Sequence, residues 1–464
     1  MAEVGTMVLK EVAKEIFLEV LEEIDVARAF GRKVKREGSK LTFTGVESSG
    51  AGPADGSAAG GAGGVNEPSI DLAAFQQVWV VSFGKAAWPM FYALTELLGE
   101  DYRPTRGVVA SNTPPERIFD GFMALQAPHP YPDVRSQDAA EKILQLCKDS
   151  DEKTLLFFLI SGGGSAMVEA PLEKSVTIDD LTELNRVLVR CGASIDEMNA
   201  VRKHLSAVKG GRVAEAAAKA AKVTLLLSDV PEGRWATIAS GPTLPDPTTV
   251  EICYEVAARY HLLSRLPASV RGLVEGKKLK ETPKEGAAAF QKSQAHLLLS
   301  NQDALKAAEV ASVARGFAVE LESKPDDWPV AEAADFLLAR LEEAKKKSEG
   351  KPVCLISGGE LSSPVTGDGT GGRNLAFVLD CVAKIAGRGV AVLSAGTDGV
   401  DGNSPAAGAV ADGETVFRAR KLGLDPAAFA RRSDSYSFFE ALGDAVVTGP
   451  TGNNLRDVRI LLAK

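Results

Sequence analysis

The stretch TLLFFLISGGGS, residues 154–165, decides the fold class, because it joins a continuous apolar run to a glycine-rich turn. A run of this kind is typical of a parallel strand buried on both faces, whereas a half-exposed strand alternates apolar and polar residues. Similar strand-like runs occur at Val78–Phe83, Arg106–Ser111 and Lys222–Ser228, with helical periodicity between them. This alternation predicts an α/β fold with a doubly wound, mostly parallel sheet.

The alternation resumes in the second half of the chain and predicts a second α/β domain. In the first half, helices are predicted at Ile178–Cys191 and Val201–Ala221. In the second half, the predicted elements are His296–Ser300, Ala304–Arg315, Ala318–Glu322, Ala331–Lys345, Pro352–Ile356, Asn374–Ala386 and Val390–Ala395. The lysine-rich stretch Leu263–Gln294 separates the two series. We expect a Rossmann-like N-terminal domain over residues 1–290 and a C-terminal α/β domain over residues 291–464.

Two N-terminal segments stand outside this alternation. Apolar residues between Val8 and Ile24 recur at helical spacing, which predicts an amphipathic helix that needs a partner surface. Residues 45–64, GVESSGAGPADGSAAGGAGG, are rich in Gly, Ala and Ser and offer nothing large to bury. Such a composition is typical of a flexible insertion, which we expect to be disordered and dispensable for function.

Composition excludes several classes of protein. The chain has 464 residues with 62 acidic and 53 basic side chains, a formal net charge of −9. This acidic balance argues against a nucleic-acid or anionic membrane partner. The longest apolar run, Leu155–Ile160, is far shorter than the ~20 residues of a membrane span. The five cysteines are scattered without CxxC spacing, and the N-terminus resembles neither a signal nor a transit peptide, so we expect a cytoplasmic protein.

Small, hydroxyl-bearing or acidic residues follow four of the predicted strands, where ligands bind in doubly wound folds. The strand ending at Ile160 is followed by a candidate anion-binding loop, composed of Ser161, Gly162, Gly163, Gly164 and Ser165. Later strand ends carry Asp229, Glu360 and the pair Asp398 and Asp401. Glycines let backbone amides approach an anion, although a single glycine-rich turn is more often only a tight turn. Its repetition at several strand ends favours a ligand site.

Five cations stand near glycines or strand ends in the first half. Lys85 directly follows a buried-type strand and precedes small residues, a position where a lysine meets substrate. The other four, around Gly210 and Gly211, are Arg202, Lys203, Lys209 and Arg212. A basic residue on a helix is most often only solvated, which is our interpretation of Arg212, whereas Arg202 and Lys203 are candidates for binding substrate or phosphate. No G-x-S-x-G nucleophile elbow is present, and His129, which lies near prolines, is interpreted as a packing or capping residue.

The second half offers a glycine signature, an arginine and two acids. Gly367–Gly372 satisfies G-x-G-x-x-G, but the residues before it make a poor buried strand and no acid stands about 20 residues on, as dinucleotide binding requires. Arg373, followed by Asn374, suits a phosphoryl group because a guanidinium can donate two hydrogen bonds to it. Asp398 and Asp401 could hold Mg²⁺ or could brace the glycine turn. These residues indicate a two-domain enzyme that handles a phosphorylated or otherwise anionic small molecule.

Several long motifs, in one order, resemble the class II glycerate kinase family, whose C-terminal half is the MOFRL domain. The resemblance covers nearly the whole chain outside residues 45–64. The motifs are FGKAAWPM (83–90), HPYPD (129–133), LISGGGSAMVEAP (159–171), MNAVRKHLSAVKGGRVA (198–214), LLLSDVPEGRWATIASGPTLPDPTT (225–249), CLISGGELSSPVTGDGTGGRN (354–374), AGTDGVDGNSPAAGAV (395–410) and TGPTGNNLRDV (448–458).

This resemblance implies ATP-dependent phosphorylation of D-glycerate, with 2-phosphoglycerate as the expected product, in a cleft between two α/β domains. It places Lys85 and Arg373 in the active site, and we expect Mg²⁺ or another divalent cation to accompany ATP. As a hypothesis, the Ser161–Ser165 loop holds an anionic group and Asp229 orients or deprotonates the glycerate hydroxyl. The family motif GGRNQE continues here as Leu375 and Ala376, which changes the side chains beside the arginine. The protein could form a homodimer.

Two other classes of function compete with this one. Members of the resembled family have often been named hydroxypyruvate reductase, and the Gly367–Gly372 signature gives an NAD(P)H-dependent enzyme superficial support. A non-catalytic binding or scaffold protein could keep the fold alone. The joint presence of Lys85, Arg373, Asp398 and the Gly162–Gly164 loop argues against a scaffold, which has no need of cations at strand ends.

Overall fold

A computed structural model describes residues 8–50, 67–231 and 233–464. It divides into two compact units, each with its own sheet. The first unit is Val26–Leu298, and the second combines Leu299–Lys464 with the described residues up to Asp25. The sequence expectation had placed the N-terminal residues with the first domain and the boundary at 290.

The helices and strands alternate along much of the chain. In chain order the helices are α1 Leu9–Glu23, α2 Val26–Lys33, α3 Ala87–Leu98, α4 Val134–Asp149, α5 Gly164–Met167, α6 Ile178–Arg190, α7 Ile195–Leu205, α8 Arg212–Ala216, α9 Val250–Arg259, α10 Ala268–Glu275, α11 Asn301–Ala314, α12 Val330–Lys347, α13 Arg373–Lys384, α14 Thr415–Lys421, α15 Pro426–Arg431 and α16 Ser435–Leu442. The strands are β1 Val34–Glu37, β2 Lys40–Phe43, β3 Glu47–Gly50, β4 Ser69–Asp71, β5 Gln77–Phe83, β6 Arg106–Ser111, β7 Phe122–Gln126, β8 Thr154–Ile160, β9 Ala221–Leu227, β10 Ser293–Leu299, β11 Ala318–Glu322, β12 Val353–Ser357, β13 Val390–Gly396, β14 Gly408–Asp412, β15 Ala445–Val446 and β16 Asp457–Ala463.

The main sheet of the first unit has the order β3-β10-β9-β8-β5-β6-β7. Strands β5 to β9 are parallel, which confirms the predicted doubly wound α/β class. Every residue of β8 is buried, as its unbroken apolar run predicts. Phe83 pairs with Ile160 and Ile160 pairs with Leu226, so β5, β8 and β9 end at one edge of the sheet. The loops that follow these three strands therefore lie side by side.

The sheet of the second unit is mixed, with the order β11-β12-β16-β13-β14-β15. Only β11 and β12 are parallel among its described pairs, and the last strand, β16, lies antiparallel between β12 and β13. Ser357 pairs with Arg459 and Gly396 pairs with Asp457. The start of β16 therefore lies beside the carboxyl ends of β12 and β13, where the second group of candidate residues follows.

The packing of the N-terminal helix, α1, explains why the residues up to Asp25 belong to the second unit and not to the first. Its apolar stripe is buried within the second unit, where α1 packs against α11. Arg315, next to the end of α11, pairs with Glu19 at 2.5 Å, and Asn453 Nδ2 donates a hydrogen bond of 2.7 Å to the Ile24 carbonyl. The helix thus has the partner surface that its periodicity requires, but that surface comes from the distant half of the chain.

Two sequence expectations need correction. The predicted helix Val201–Ala221 is interrupted after Leu205, because Gly210 and Gly211 have φ of +61° and +86°, which an α-helix cannot accommodate. The start of the supposed flexible insertion forms β3, which needs no large side chains because it joins β10 through its backbone. Residues 51–64 of that insertion lie outside the described residues.

Candidate active site

The glycine-rich loop after β8 is tied to the turn after β5 by backbone hydrogen bonds. The Lys85 amide donates to the Gly162 carbonyl at 2.9 Å, and the Ala86 amide donates to Ser161 Oγ at 3.0 Å. Gly84 makes this approach possible, because its φ is +117° and a Cβ there would lie 2.3 Å from Ser161 Oγ. The loop and the lysine that follows β5 are therefore held in one rigid arrangement.

Three candidate side chains converge on this loop. A Cβ on Gly162 would lie 2.0 Å from Asp229 Oδ2, so the Asp229 carboxylate, which follows β9, rests directly on that glycine. A Cβ on Gly163 would lie 3.3 Å from Lys85 Cγ and 3.2 Å from His129 Cδ2. The structure thus brings Lys85, Asp229 and the glycine loop together. It also adds His129, which the sequence interpretation had assigned to packing.

A cavity of about 350 Å³ opens beside Gly163 and Ser165, and we call it the cationic cavity. It is lined by His129, Pro130, Tyr131, Pro132, Gly163, Ser165, Ala166, Asn185, Arg186, Val189, Arg190, Arg202 and Lys209. Lys209 Nζ donates to the Ser165 carbonyl at 2.9 Å and pairs with Glu169. Burial lowers the pKa of Lys209, against the opposing charge of Glu169. Lys209 therefore fixes the end of the Ser161–Ser165 loop through its carbonyl group.

A smaller cavity of about 240 Å³ adjoins the first and is lined by Asp229 as well as by Arg202 and Arg234. We call it the acidic cavity because Asp229 is the one carboxylate among the described residues that line the two cavities. The two cavities share Gly163, Ser165 and Arg202. Ser165 Oγ and Ser240 Oγ lie 3.0 Å apart in this shared region. The loop thus adjoins both cavities, of which the larger is lined by four cations and the smaller by one carboxylate and two arginines.

The two adjacent cations of α7 differ in their surroundings. Arg202 lines both cavities, with its Nε donating to Asn185 Oδ1 at 2.7 Å, and burial lowers its pKa. Lys203 is 3% exposed and lies 3.1 Å from Asp246 Oδ1 in a buried ion pair. It lines neither cavity. The sequence prediction grouped the two residues, but the structure separates them.

In the second unit, Arg373 forms a two-point ion pair at the start of α13. Its Nε and Nη2 lie 2.7 and 3.0 Å from the two carboxylate oxygens of Asp457, and Nη2 lies 3.0 Å from Glu360. Burial opposes the charged guanidinium, but the Asp457 carboxylate outweighs it and raises the pKa of Arg373. The arginine is therefore fully charged and fixed in direction, which suits it to an anionic ligand.

Asp401 caps the start of α13. Its carboxylate accepts hydrogen bonds from the amides of Asn374 and Leu375 at 3.1 and 2.8 Å, and burial raises its pKa to about 7. The Asn374 side chain accepts a hydrogen bond from Ser394 Oγ at 2.6 Å and is itself buried. Asp398 Oδ1 accepts from the Val400 amide at 3.2 Å. Among the described residues, no group of three or more His, Cys, Asp or Glu side chains could hold a metal ion.

Comparison with known proteins gives this architecture a family. Residues 12–275 match a domain of unknown function, DUF4147, and residues 353–457 match the MOFRL family. The D-glycerate 2-kinase of Thermotoga maritima is 38% identical over 397 residues, which cover 85% of this chain and 91% of that protein. This chain belongs to the glycerate kinase family. A crystal structure of glycerate kinase from the same organism superimposes with a TM-score of 0.81 and 34% identity, over 98% of this chain and 99% of that one.

Another relative within this family carries a different name. A putative hydroxypyruvate reductase of Agrobacterium vitis is 40% identical over 73% of this chain and 76% of its own length. In this chain, the Gly367–Gly372 signature does not follow a strand, since β12 ends at Ser357. A Cβ on Gly367 would lie 2.5 Å from the Arg432 carbonyl, and one on Gly371 would lie 2.2 Å from Ser435 Oγ. These glycines permit close packing within the protein.

Some residues of the candidate site were not predicted as site residues from the sequence. His129 and Asp457 stand in the quoted motifs HPYPD and TGPTGNNLRDV, so the resemblance could have pointed to them. Lys209 was noted only as a cation beside glycines. Arg190, at the end of α6, stands outside the quoted motifs and gave no local signal. None of the described helices combines the length and apolar character that a bilayer crossing requires.

Proposed function

We propose that this protein transfers the γ-phosphoryl group of ATP to D-glycerate and forms 2-phosphoglycerate. The observation that carries the proposal is the meeting of Lys85 and Asp229 at Gly162 and Gly163, beside a cavity lined by cations. Phosphoryl transfer depends on positioning and on neutralising charge, which this arrangement supplies. Membership of the glycerate kinase family supports the choice of substrate.

The side chains and backbone amides of the candidate site have separate roles in this proposal. Asp229 orients the hydroxyl of glycerate and accepts its proton as the oxygen bonds to the γ-phosphorus. Lys85 stabilises the charge on the transferring phosphoryl group, and the amides of the glycine loop hold an anionic group of the substrates. Arg373, kept charged by Asp457, binds phosphate in the same reaction.

Mg²⁺ is proposed as the accompanying cation, where it would neutralise charge on the nucleotide phosphates. Of the two predicted ligands, Asp398 is the better candidate, since Mg²⁺ needs only one or two carboxylates beside phosphate oxygens. Both oxygens of Asp401 already accept hydrogen bonds from the start of α13. We therefore assign Asp401 to positioning Arg373 and Asn374 through that helix, and we leave Lys203 out of the site.

The proposal is tested with purified protein, D-glycerate and MgATP, with the product identified by NMR. We expect ATP-dependent formation of 2-phosphoglycerate, and loss of at least 100-fold in kcat for Lys85→Ala and Asp229→Asn, which is the size of general acid–base and electrostatic contributions. Lys219→Ala, an exposed lysine of the first unit, is the matched control and keeps full activity. Oxidation of NADH by hydroxypyruvate without ATP, in a protein inactive towards glycerate, would favour the reductase instead.

A cytoplasmic location is also part of the proposal. The five cysteines are all free thiols, which fits a reducing compartment. A homodimer remains a prediction, for which light scattering of the purified protein is the direct measurement.

A further inference from the structure

The two adjoining cavities of the first unit differ in charge, and this difference assigns a substrate to each. Arg186, Arg190, Arg202 and Lys209 line the cationic cavity, and among residues 8–50, 67–231 and 233–464 no Asp or Glu lines it. The acidic cavity is lined by Asp229 and by two arginines, Arg202, which it shares with the cationic cavity, and Arg234, whose charge is paired with Asp196. The two substrates of the proposed reaction also differ in charge, because a nucleoside triphosphate carries several negative charges and a small hydroxy acid carries one.

The charges of the cationic cavity are only partly compensated by the protein. Lys209 pairs with Glu169, and Arg186 pairs with Glu183 at 3.1 Å. No carboxylate within the described part of the chain forms an ion pair with Arg190. Two positive charges, those of Arg190 and Arg202, are therefore left for a ligand.

The hydrogen bonds of Arg202 orient it without neutralising it, and the nearby charge of Glu169 compensates it only in part. Its Nε and Nη1 donate to the amide oxygens of Asn185 and Asn199, at 2.7 and 3.4 Å. An amide oxygen accepts a hydrogen bond but carries no net charge, so the guanidinium keeps its attraction for an anion. Burial already lowers the pKa of Arg202, and an arriving anion would relieve this cost of burying the charge.

We propose that the cationic cavity binds the polyphosphate chain of the nucleoside triphosphate, and that the acceptor hydroxy acid occupies the acidic cavity. This assignment rests on the proposed function. The phosphoryl group is then transferred where the two cavities adjoin, beside Gly163, Ser165 and Arg202, which line both. The acceptor hydroxyl oxygen forms the bond to the γ-phosphorus, the bond from that phosphorus to the β–γ bridging oxygen breaks, and the proton passes to Asp229. The nucleoside diphosphate leaves with the bridging oxygen.

A matched pair of substitutions tests the assignment, because each cavity has an exposed branched aliphatic residue in its lining that does not line the other cavity. Val189, 65% exposed, lines only the cationic cavity, and Ile195, 48% exposed, lines only the acidic cavity. We expect Val189→Glu to raise the KM for ATP about tenfold and to leave the KM for D-glycerate within twofold, because the new carboxylate repels polyphosphate. We expect Ile195→Glu to raise the KM for D-glycerate about tenfold and to leave the KM for ATP within twofold, because its carboxylate repels that of glycerate.

Arg190→Ala provides a second, independent variant. Loss of a charge-assisted contact should weaken ATP binding about tenfold, measured by calorimetry with ATP and no acceptor. Arg265→Ala, an exposed arginine of the same unit, is the control and should bind ATP like the wild type. Circular dichroism and melting temperatures verify that each variant is folded.

The outcomes separate the assignment from the proposed function. If Val189→Glu and Arg190→Ala weaken the binding of glycerate instead of ATP, the proposed kinase function stands and the assignment of the two cavities is reversed. If neither variant alters the KM or the binding of either substrate, the assignment is wrong. If the wild type shows no turnover but binds ATP in a way that Arg190→Ala weakens, the assignment survives and the proposed function fails. If the wild type neither turns over nor binds ATP, both are overturned.

Discussion

Replacing Asp457 with Asn tests how far activity depends on the orientation of Arg373. The carboxylate is 1% exposed and contacts the guanidinium at two points, 2.7 and 3.0 Å long. In the variant, the amide keeps one acceptor oxygen but loses the second and the negative charge. The arginine should then sample directions that are unproductive for binding a phosphoryl group.

The expected loss follows from the exposure of the pair. Breaking a fully buried ion pair costs about 3–5 kcal/mol. The Arg373 side chain is 34% exposed and keeps Glu360 at 3.0 Å, so we expect a smaller effect of about 1–2 kcal/mol on transition-state binding. This corresponds to a loss of roughly 5- to 30-fold in kcat/KM, with 1.4 kcal/mol for each factor of ten.

A double-mutant cycle identifies the route of the effect. If Asp457 acts through Arg373, then Asp457→Asn should change kcat/KM less than twofold in an Arg373→Ala background. Asp444→Asn is the matched control, because Asp444 is also 1% exposed and paired with an arginine of the second unit, Arg418. It should lower the melting temperature without lowering kcat. An equal loss from Asp457→Asn in both backgrounds would refute the positioning role.

Three further predictions concern the first unit. Burial lowers the pKa of His296 to about 4, so the unfolded chain binds more protons than the native state between pH 4 and 6.5. The free energy of unfolding should therefore fall by about 3 kcal/mol as the pH drops through this window. Urea titrations of His296→Gln at several pH values should lack this dependence on pH. Gly162→Ala would place a Cβ 2.0 Å from the Asp229 carboxylate and should lower kcat on the order of 100-fold, whereas Gly31→Ala, with no atom within 4 Å, should keep full activity in the same assay. Lys203→Met should lower the free energy of unfolding in urea by about 3–5 kcal/mol with kcat/KM unchanged, because the lysine belongs to a buried ion pair; a raised KM at normal stability would restore its predicted role in binding.

The first unit was largely predictable because its information is local. The apolar run at β8 and the glycines after it gave both the buried parallel strand and the loop. Parallel strands place their carboxyl ends at one edge, so the sequence also indicated that Lys85 and Asp229 lie near that loop. What it could not give is the approach of Asp229 to Gly162, which depends on side-chain contacts between residues far apart in the chain.

The second unit was less predictable because its central strand comes last. The run DVRILLA at β16 is apolar enough for a strand, but its partners β12 and β13 precede it by many residues, and nothing local states that it enters antiparallel between them. This insertion puts Asp457 beside Arg373. The arginine was found as a cation after glycines. Asp457 stands in the quoted motif TGPTGNNLRDV, but its pairing with Arg373 follows only from the topology.

Helix α7 shows why residue type alone did not separate a ligand-binding cation from a structural one. Val201 and Leu205 face an apolar core, and Lys203 lies about 200° around the helix from Val201, where a single apolar stripe predicts exposure. The opposite face is instead covered by the segment that carries Asp246, whose carboxylate is 1% exposed. A lysine is tolerated there because it meets that charge, while Arg202, about 100° away, emerges into the cavities. The neighbour on the covering segment, and not the charge of the residue, therefore decides which of the two can bind substrate.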